Sequence, residues 1–170
     1  MTFLNIAGFE DPVNGVWQIR PEQGHAALGT THANWQHSIL STREREAARH
    51  RTAQINGCIT CQNWRVDGFE DVGVDEDFYS GIENYKTSSA YSDREKLAIE
   101  TAERFALSWK EPDWDYIERL QANFRDDEIV DLMLCIGQYV AQGRLLHMLQ
   151  LDSICPAAPA SLAVARANAV

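Results

Sequence analysis

The sequence predicts an all-α fold, and three observations carry that prediction. No segment alternates apolar and polar residues over strand length, and β-branched clusters are absent, so a sheet has little to be built from. Two stretches, Ser41-Thr42-Arg43-Glu44 and Ser92-Asp93-Arg94-Glu95, have the form of a capping box, in which a hydroxyl and a Glu three residues on satisfy each other's orphan amides. A long apolar stretch, Ile129 to Leu151, follows the acids Asp126, Asp127 and Glu128, which suit the positive end of a helix dipole.

Taken in order, residues 1–30 hold six of the ten glycines and prolines that punctuate the first half of the chain with no sustained period, and they read as an irregular lead-in. Residues 31–155 read as one helical domain, and the Ala-rich residues 156–170 as a loosely ordered tail. Within the domain, Trp35 and Ile39 suggest a short helix over 31–40. The first capping box then opens a helix that runs to about Ile55, and Asn56-Gly57 ends it, because both residues tolerate the left-handed conformation used just past a helix end. A further helix is expected from Cys58 through Val66. Residues 67–91, with Gly68, Gly73 and Gly81 among many acids, read as a loop with one helical turn near Phe78 to Tyr85. The second capping box opens a helix whose Ala98, Ala102, Phe105 and Trp109 share a face. Pro112-Asp113 starts a short helix with Trp114, Ile117, Leu120 and Phe124 on one side. In the last helix Ile129, Met133, Ile136, Val140 and His147 follow a seam-like spacing, and Gly137 and Gly143 each cost about 1 kcal/mol unless something packs closely there. A neighbouring helix or subunit is thereby implied.

Charge and composition exclude some functions. A net charge of -10 argues against a phosphate-backbone partner and an anionic membrane surface, so neither nucleic acid nor membrane is an expected partner. The N-terminus has no basic leader before an apolar core, and no run is read as long enough to span a bilayer, which makes the expected location cytoplasmic. Four cysteines in such a chain are expected to be reduced at rest.

Cys58 and Cys61 are three apart and share a helix face at a distance from which a disulfide can close. They follow the break at Gly57 and so fall on a first turn, where free amides favour a thiolate. Redox use, half of a zinc site and inert core cysteines all fit this spacing. Zinc is the weaker rival because no second Cys-x-x-Cys or His pair completes four ligands. No organic cofactor motif is present, and neither a cofactor nor a metal is expected. Glu46 lies twelve residues before Cys58, about 18 Å along one straight helix. If the chain folds back at Gly57, Arg65 reaches the level of Glu46 to Arg49, and a line Glu46, Arg65, Cys61 forms. The plainer reading makes Glu46 one more charge in a helix start that already holds Arg43, Glu44 and Arg45.

The stretch Arg43-Glu44-Arg45-Glu46, followed by Ala53-Gln54-Ile55-Asn56-Gly57-Cys58-Ile59-Thr60-Cys61, resembles the core of the carboxymuconolactone decarboxylase family in its alkylhydroperoxidase D-like branch. The likeness extends over roughly residues 35–150. It implies a helical bundle with a hairpin carrying the Cys pair, and peroxide reduction by that pair. The branch's motif is Glu, twelve residues on Cys-x-x-Cys, then three residues and His. Glu46, Cys58 and Cys61 match it, and Arg65 stands where the relay His is found. Arg cannot shuttle protons near neutral pH, yet it can hold a thiolate and pair with Glu46. His50, one turn after Glu46, is a secondary candidate for the lost imidazole, although a solvated surface His is the commoner case. His147 reads as packing or surface, Cys135 as core, and Cys155 has no motif around it.

By this resemblance the expected function is a thiol-dependent peroxidase, with Cys61 as attacker and Cys58 as resolving thiol. Its partners would be a hydroperoxide substrate, a dithiol or thioredoxin-like reductant, and copies of itself in a dimer, trimer or hexamer. A carboxymuconolactone decarboxylase-like lyase and a non-catalytic redox-sensing helical oligomer are the alternatives.

Overall fold

The computed structural model describes residues 2–151 apart from 7, 67 and 69–71. The expected tail at 156–170 and Cys155 lie outside them. Among the described residues there are eight α-helices and no strand: α1 (Pro12–Ile19), α2 (Pro21–Gln36), α3 (Thr42–Asn56), α4 (Ile59–Asn63), α5 (Glu76–Gly81), α6 (Asp93–Leu107), α7 (Trp114–Asn123) and α8 (Asp126–Met148), with a 3-10 turn at Ile82–Asn84.

Both capping boxes form as the spacing predicts. Ser41 accepts from the Glu44 amide and Ser92 from the Glu95 amide, while each Glu returns to its cap residue's amide. The capping carboxylates also join the helices to one another. Arg94 on α6 binds Glu44 of α3 at 2.5 Å and Glu128 of α8 at 3.0 Å, and Arg43 of α3 binds Glu95 of α6 at 2.5 Å. Three helix starts are thereby tied at one end of the bundle. Gly57 closes α3 with φ +67, the left-handed conformation its position requires.

Helix α3 packs between α6 and α8. One apolar cluster joins Leu40, Ala48, Leu97, Ala102, Leu132 and Ile136, and a second, more aromatic one joins Ala47, Phe78, Tyr79, Ile82, Tyr91 and Ile99. By length and composition α8 could cross a membrane, with 23 residues and an 18-residue stretch of mean hydropathy 1.2, contrary to the expectation that no run is long enough. Its Leu132, Cys135, Ile136 and Leu146 are instead buried in this bundle.

The irregular lead-in expected for residues 1–30 is corrected by two helices. Asp11 caps α1 by accepting from the amides of Val13 and Asn14, and Pro12 and Pro21 occupy the first turns of α1 and α2, where a missing N–H costs nothing. The glycines serve packing rather than turns. A Cβ on Gly15 would sit 2.5 Å from Cγ of Phe9, ahead of α1, and one on Gly24 would overlap the carbonyl of Trp17, so at Gly24 α2 crosses α1 where only hydrogen fits. The short helix expected over 31–40 is accordingly the end of α2.

Three further points refine the expected elements. Helix α6 stops at Leu107, leaving Trp109 exposed, and Trp114 is exposed at the start of α7. The helix carrying the cysteines ends at Asn63 rather than Val66, because Trp64 turns extended with ψ 133. Gly137 and Gly143 do mark close contacts, but within the chain: a Cβ would meet Phe105 of α6 at 3.2 Å in the first case and the Asn56 amide of α3 at 2.5 Å in the second.

Candidate functional site

The cysteine pair sits where α3 ends and the chain reverses. Cys58 is the N-cap of α4 rather than a residue of its first turn, and its sulfur takes the capping acceptor's place opposite the Cys61 amide at 3.4 Å. The two sulfurs are 2.6 Å apart, about half an ångström beyond a disulfide bond. Cys58 is fully buried, while Cys61 is half-buried beside the exposed Ile59. Of the two, Cys61 is the more exposed residue.

Beneath the pair lies an ion pair withdrawn from water. Glu46 and Arg49, both on α3, meet at 2.8 Å with side chains 0% and 1% exposed. The second Glu46 oxygen accepts the Tyr79 hydroxyl at 2.8 Å. Arg49 spends its remaining donors on the Cys motif, with Nη1 bonded to the Cys61 carbonyl at 2.7 Å and Nη2 to the Trp64 carbonyl at 3.2 Å. Its guanidinium also lies over the Trp64 ring at 4.9 Å. Burial disfavours the Arg49 charge, but the adjacent Glu46 carboxylate more than offsets this and the pKa is raised. Burial, and then Glu46, push the Tyr79 hydroxyl up in the same way, so it remains a donor.

The line Glu46, Arg65, Cys61 does not form. Because Trp64 leads the chain away from α3, Arg65 reaches α5 instead, binding Glu76 at 2.5 and 2.9 Å and covering the Tyr79 ring at 4.2 Å. It also donates to the carbonyls of Gln62 and Trp64. Arg65 therefore joins Glu46 only through Tyr79, and the direct partner of Glu46 is Arg49. Arg65 and Tyr79 line a 410 Å³ cavity with Val66, Val74 and the acids Asp75, Glu76 and Asp77.

His50 is not a solvated surface residue. It is 5% exposed, its ring centroid lies 5.0 Å from that of Tyr79, and its Nδ1 is buried with no hydrogen-bond partner. Burial, then the Arg49 and Arg65 charges, lower its pKa to about 3. Such an imidazole stays neutral at physiological pH and is a poor proton carrier there. The linkage has a definite sign. The unfolded chain binds a proton at His50 near pH 6.5, whereas the folded chain resists it down to about pH 3. Stability is therefore full above pH 6.5 and is lost as pH falls toward 3, by at most about 1.4 kcal/mol per pH unit. Urea unfolding between pH 7 and 4 is expected to show this loss, and His50→Gln to flatten it; equal slopes would show that His50 is not its source.

Cys135 lies in the apolar stripe of α8, as expected, and burial pushes its thiol up to about 12, so it is a poor nucleophile at neutral pH. His147 is exposed near the end of α8. Among the described residues no three or more His, Cys, Asp or Glu side chains are grouped to hold a metal.

Arg49 and Tyr79 are the site residues that sequence reasoning missed. The i,i+3 spacing of Glu46 and Arg49 was visible, but Tyr79 is 33 residues from Glu46 and nothing local joins them.

No family model matches the chain. It is 28% identical over 131 residues to the uncharacterized protein YdfG of Bacillus subtilis, a match covering 76% of this chain and 88% of that protein. Two solved structures share the fold. One, from Agrobacterium tumefaciens, is a protein of unknown function described as a candidate antioxidant defence protein, AhpD; it aligns with a TM-score of 0.70 at 24% identity over 88% of this chain and 96% of that one. The other, an uncharacterized peroxidase-related protein from a Silicibacter species, aligns with a TM-score of 0.71 at 19% identity over 84% of this chain and 76% of that one.

Proposed function

We propose that this chain, which has the alkylhydroperoxidase D-like helical fold, is a thiol-dependent peroxidase working through Cys58 and Cys61. The observation that carries this reading is the 2.6 Å approach of a half-buried and a fully buried sulfur at a helix start. In the proposed cycle the Cys61 thiolate attacks one peroxide oxygen and the O–O bond breaks. The other oxygen leaves as an alcohol once it takes up a proton, and Cys61 becomes a sulfenic acid. Cys58 then attacks the Cys61 sulfur, releasing water and closing the disulfide. A dithiol, free or on a thioredoxin-like protein, restores both thiols and carries away the two oxidising equivalents.

Glu46 contributes differently from what the family resemblance implies. Both of its oxygens are engaged and it is sealed from water, so in this reading it orients Arg49 and Tyr79 rather than moving protons itself. The lyase and sensor alternatives make no use of turnover at the pair. Consumption of a hydroperoxide with dithiothreitol as donor tests the reading: sustained turnover supports it, and a single equivalent consumed without recycling favours a sensor.

Self-association belongs to the same proposal. Val130 and Leu134 expose more than half of their surface on α8 and line an apolar groove of about 610 Å³ between α8, α2 and Phe105. Apolar area of this kind, clustered on one helix, favours a second copy. Light scattering is expected to give a mass at least twice 19.2 kDa, and a monomer at micromolar concentration would refute it.

A further inference from the structure

The helix that carries the attacking cysteine is five residues long, too short to hold its own shape, since one hydrogen-bonded turn scarcely offsets the cost of its nucleation. At its two ends Gln62 donates to the Cys58 carbonyl and Trp64 to the Thr60 carbonyl, each at 3.0 Å. The Cys61 carbonyl lies in its last turn and the Trp64 carbonyl just past its end, where a helix leaves such groups in need of donors; Arg65 supplies one to Trp64 at 3.1 Å. Arg49 of α3 supplies donors to both, at 2.7 and 3.2 Å. Its third bonding direction is fixed by Glu46, whose second oxygen is in turn fixed by Tyr79. A planar guanidinium with all three edges engaged holds its partners in one orientation, which a lysine ammonium does not.

We infer that Arg49 is a positioning residue for the Cys58–Cys61 pair. By gripping the Cys61 and Trp64 carbonyls it holds α4 in the shape that brings the two sulfurs together, and so sets how readily their disulfide opens. The inference rests on the dithiol reading proposed above and adds to it a residue outside the Cys-x-x-Cys motif. Glu46 acts one step further back, by aiming Arg49. Without the grip α4 samples shapes in which the sulfurs are apart. Their effective concentration for each other then falls, and the disulfide becomes easier to reduce.

The test is an equilibrium titration. Wild type, Arg49→Lys and the double variant Glu46→Leu with Arg49→Met are equilibrated with mixtures of reduced and oxidised dithiothreitol. They are then acid-quenched and alkylated, and the Cys58–Cys61 peptide is scored by mass. The double variant removes both charges together and leaves no orphaned buried ion, which makes it the more tolerable change for folding. Its disulfide is expected to be about tenfold less stable, or about 30 mV higher in potential for a two-electron couple. Arg49→Lys, which can reach only one carbonyl at a time, is expected to shift in the same direction by a smaller factor, and it decides the question should the double variant not fold. Folded variants with lowered melting temperatures but the wild-type potential would overturn the inference and leave the dithiol reading intact. A wild type that forms no Cys58–Cys61 disulfide at any ratio would overturn both.

Discussion

Replacing Glu46 with alanine is expected to cost about 3–5 kcal/mol of stability, the usual consequence of leaving one partner of a buried ion pair without the other. The Arg49 charge would remain 1% exposed beneath the Cys motif with its Nε partner gone, and the Tyr79 hydroxyl would lose its acceptor. In a domain of this size such a loss lowers the melting temperature by roughly 6–20 °C. The same substitution on a solvated helix face would cost well under 1 kcal/mol, so magnitude alone separates the two pictures of Glu46. Calorimetry of Glu46→Ala decides between them: a shift below about 3 °C would mean that the pair is far better hydrated than its geometry indicates. Substituting Glu46 and Arg49 together by apolar residues is expected to recover much of the loss, since no charge is then stranded.

That contrast also shows what could be read from the sequence and what could not. The starts of α3 and α6 and the end of α3 were legible because their causes are local: a hydroxyl, a Glu three residues on, and a glycine with positive φ. The Cys pair was legible from its spacing, and Cys135 from its place in an apolar stripe. Helix α3 itself misleads. Its Arg45, Glu46, Arg49 and His50 form a polar run that reads as a solvated face, yet all four are buried. Their cover comes from far along the chain, with Trp35 over Arg45 at 3.9 Å, Trp64 over Arg49, and Tyr79 against His50 and Glu46. Aromatic residues that stack on guanidinium groups let a charged helix occupy a core, and no periodicity within α3 records that. Arg65 went astray for a related reason, because the turn at Trp64 and the acid at Glu76 lie outside any local pattern. The first thirty residues defy a turn reading because Gly24 is a contact point between α1 and α2 and Gly15 makes room for the Phe9 ring.

The second large effect concerns the sulfurs. Cys61→Ser is expected to reduce dithiol-dependent peroxide turnover on the order of 100-fold or more, because a serine hydroxyl at neutral pH is not a nucleophile toward a peroxide oxygen. Cys58→Ser is expected to differ in kind. Without added thiol, Cys61 would still react once, but its sulfenic acid, with no neighbouring thiol to close on, would accumulate and progress to the sulfinic acid under excess peroxide. A burst of about one equivalent followed by inactivation is the expected time course. Cys135→Ser is expected to leave turnover unchanged, given a thiol pushed up to about 12 and sealed in the core. Equal activity in all three variants would move the chemistry away from this pair.

The most direct measurement of the whole account is a thiol map before and after one equivalent of hydroperoxide. The expected result is the loss of two thiols and a single new linkage between the peptides holding Cys58 and Cys61, reversed by dithiothreitol. Recovery of both thiols intact, with oxidation confined to Cys135 or Cys155, would contradict it.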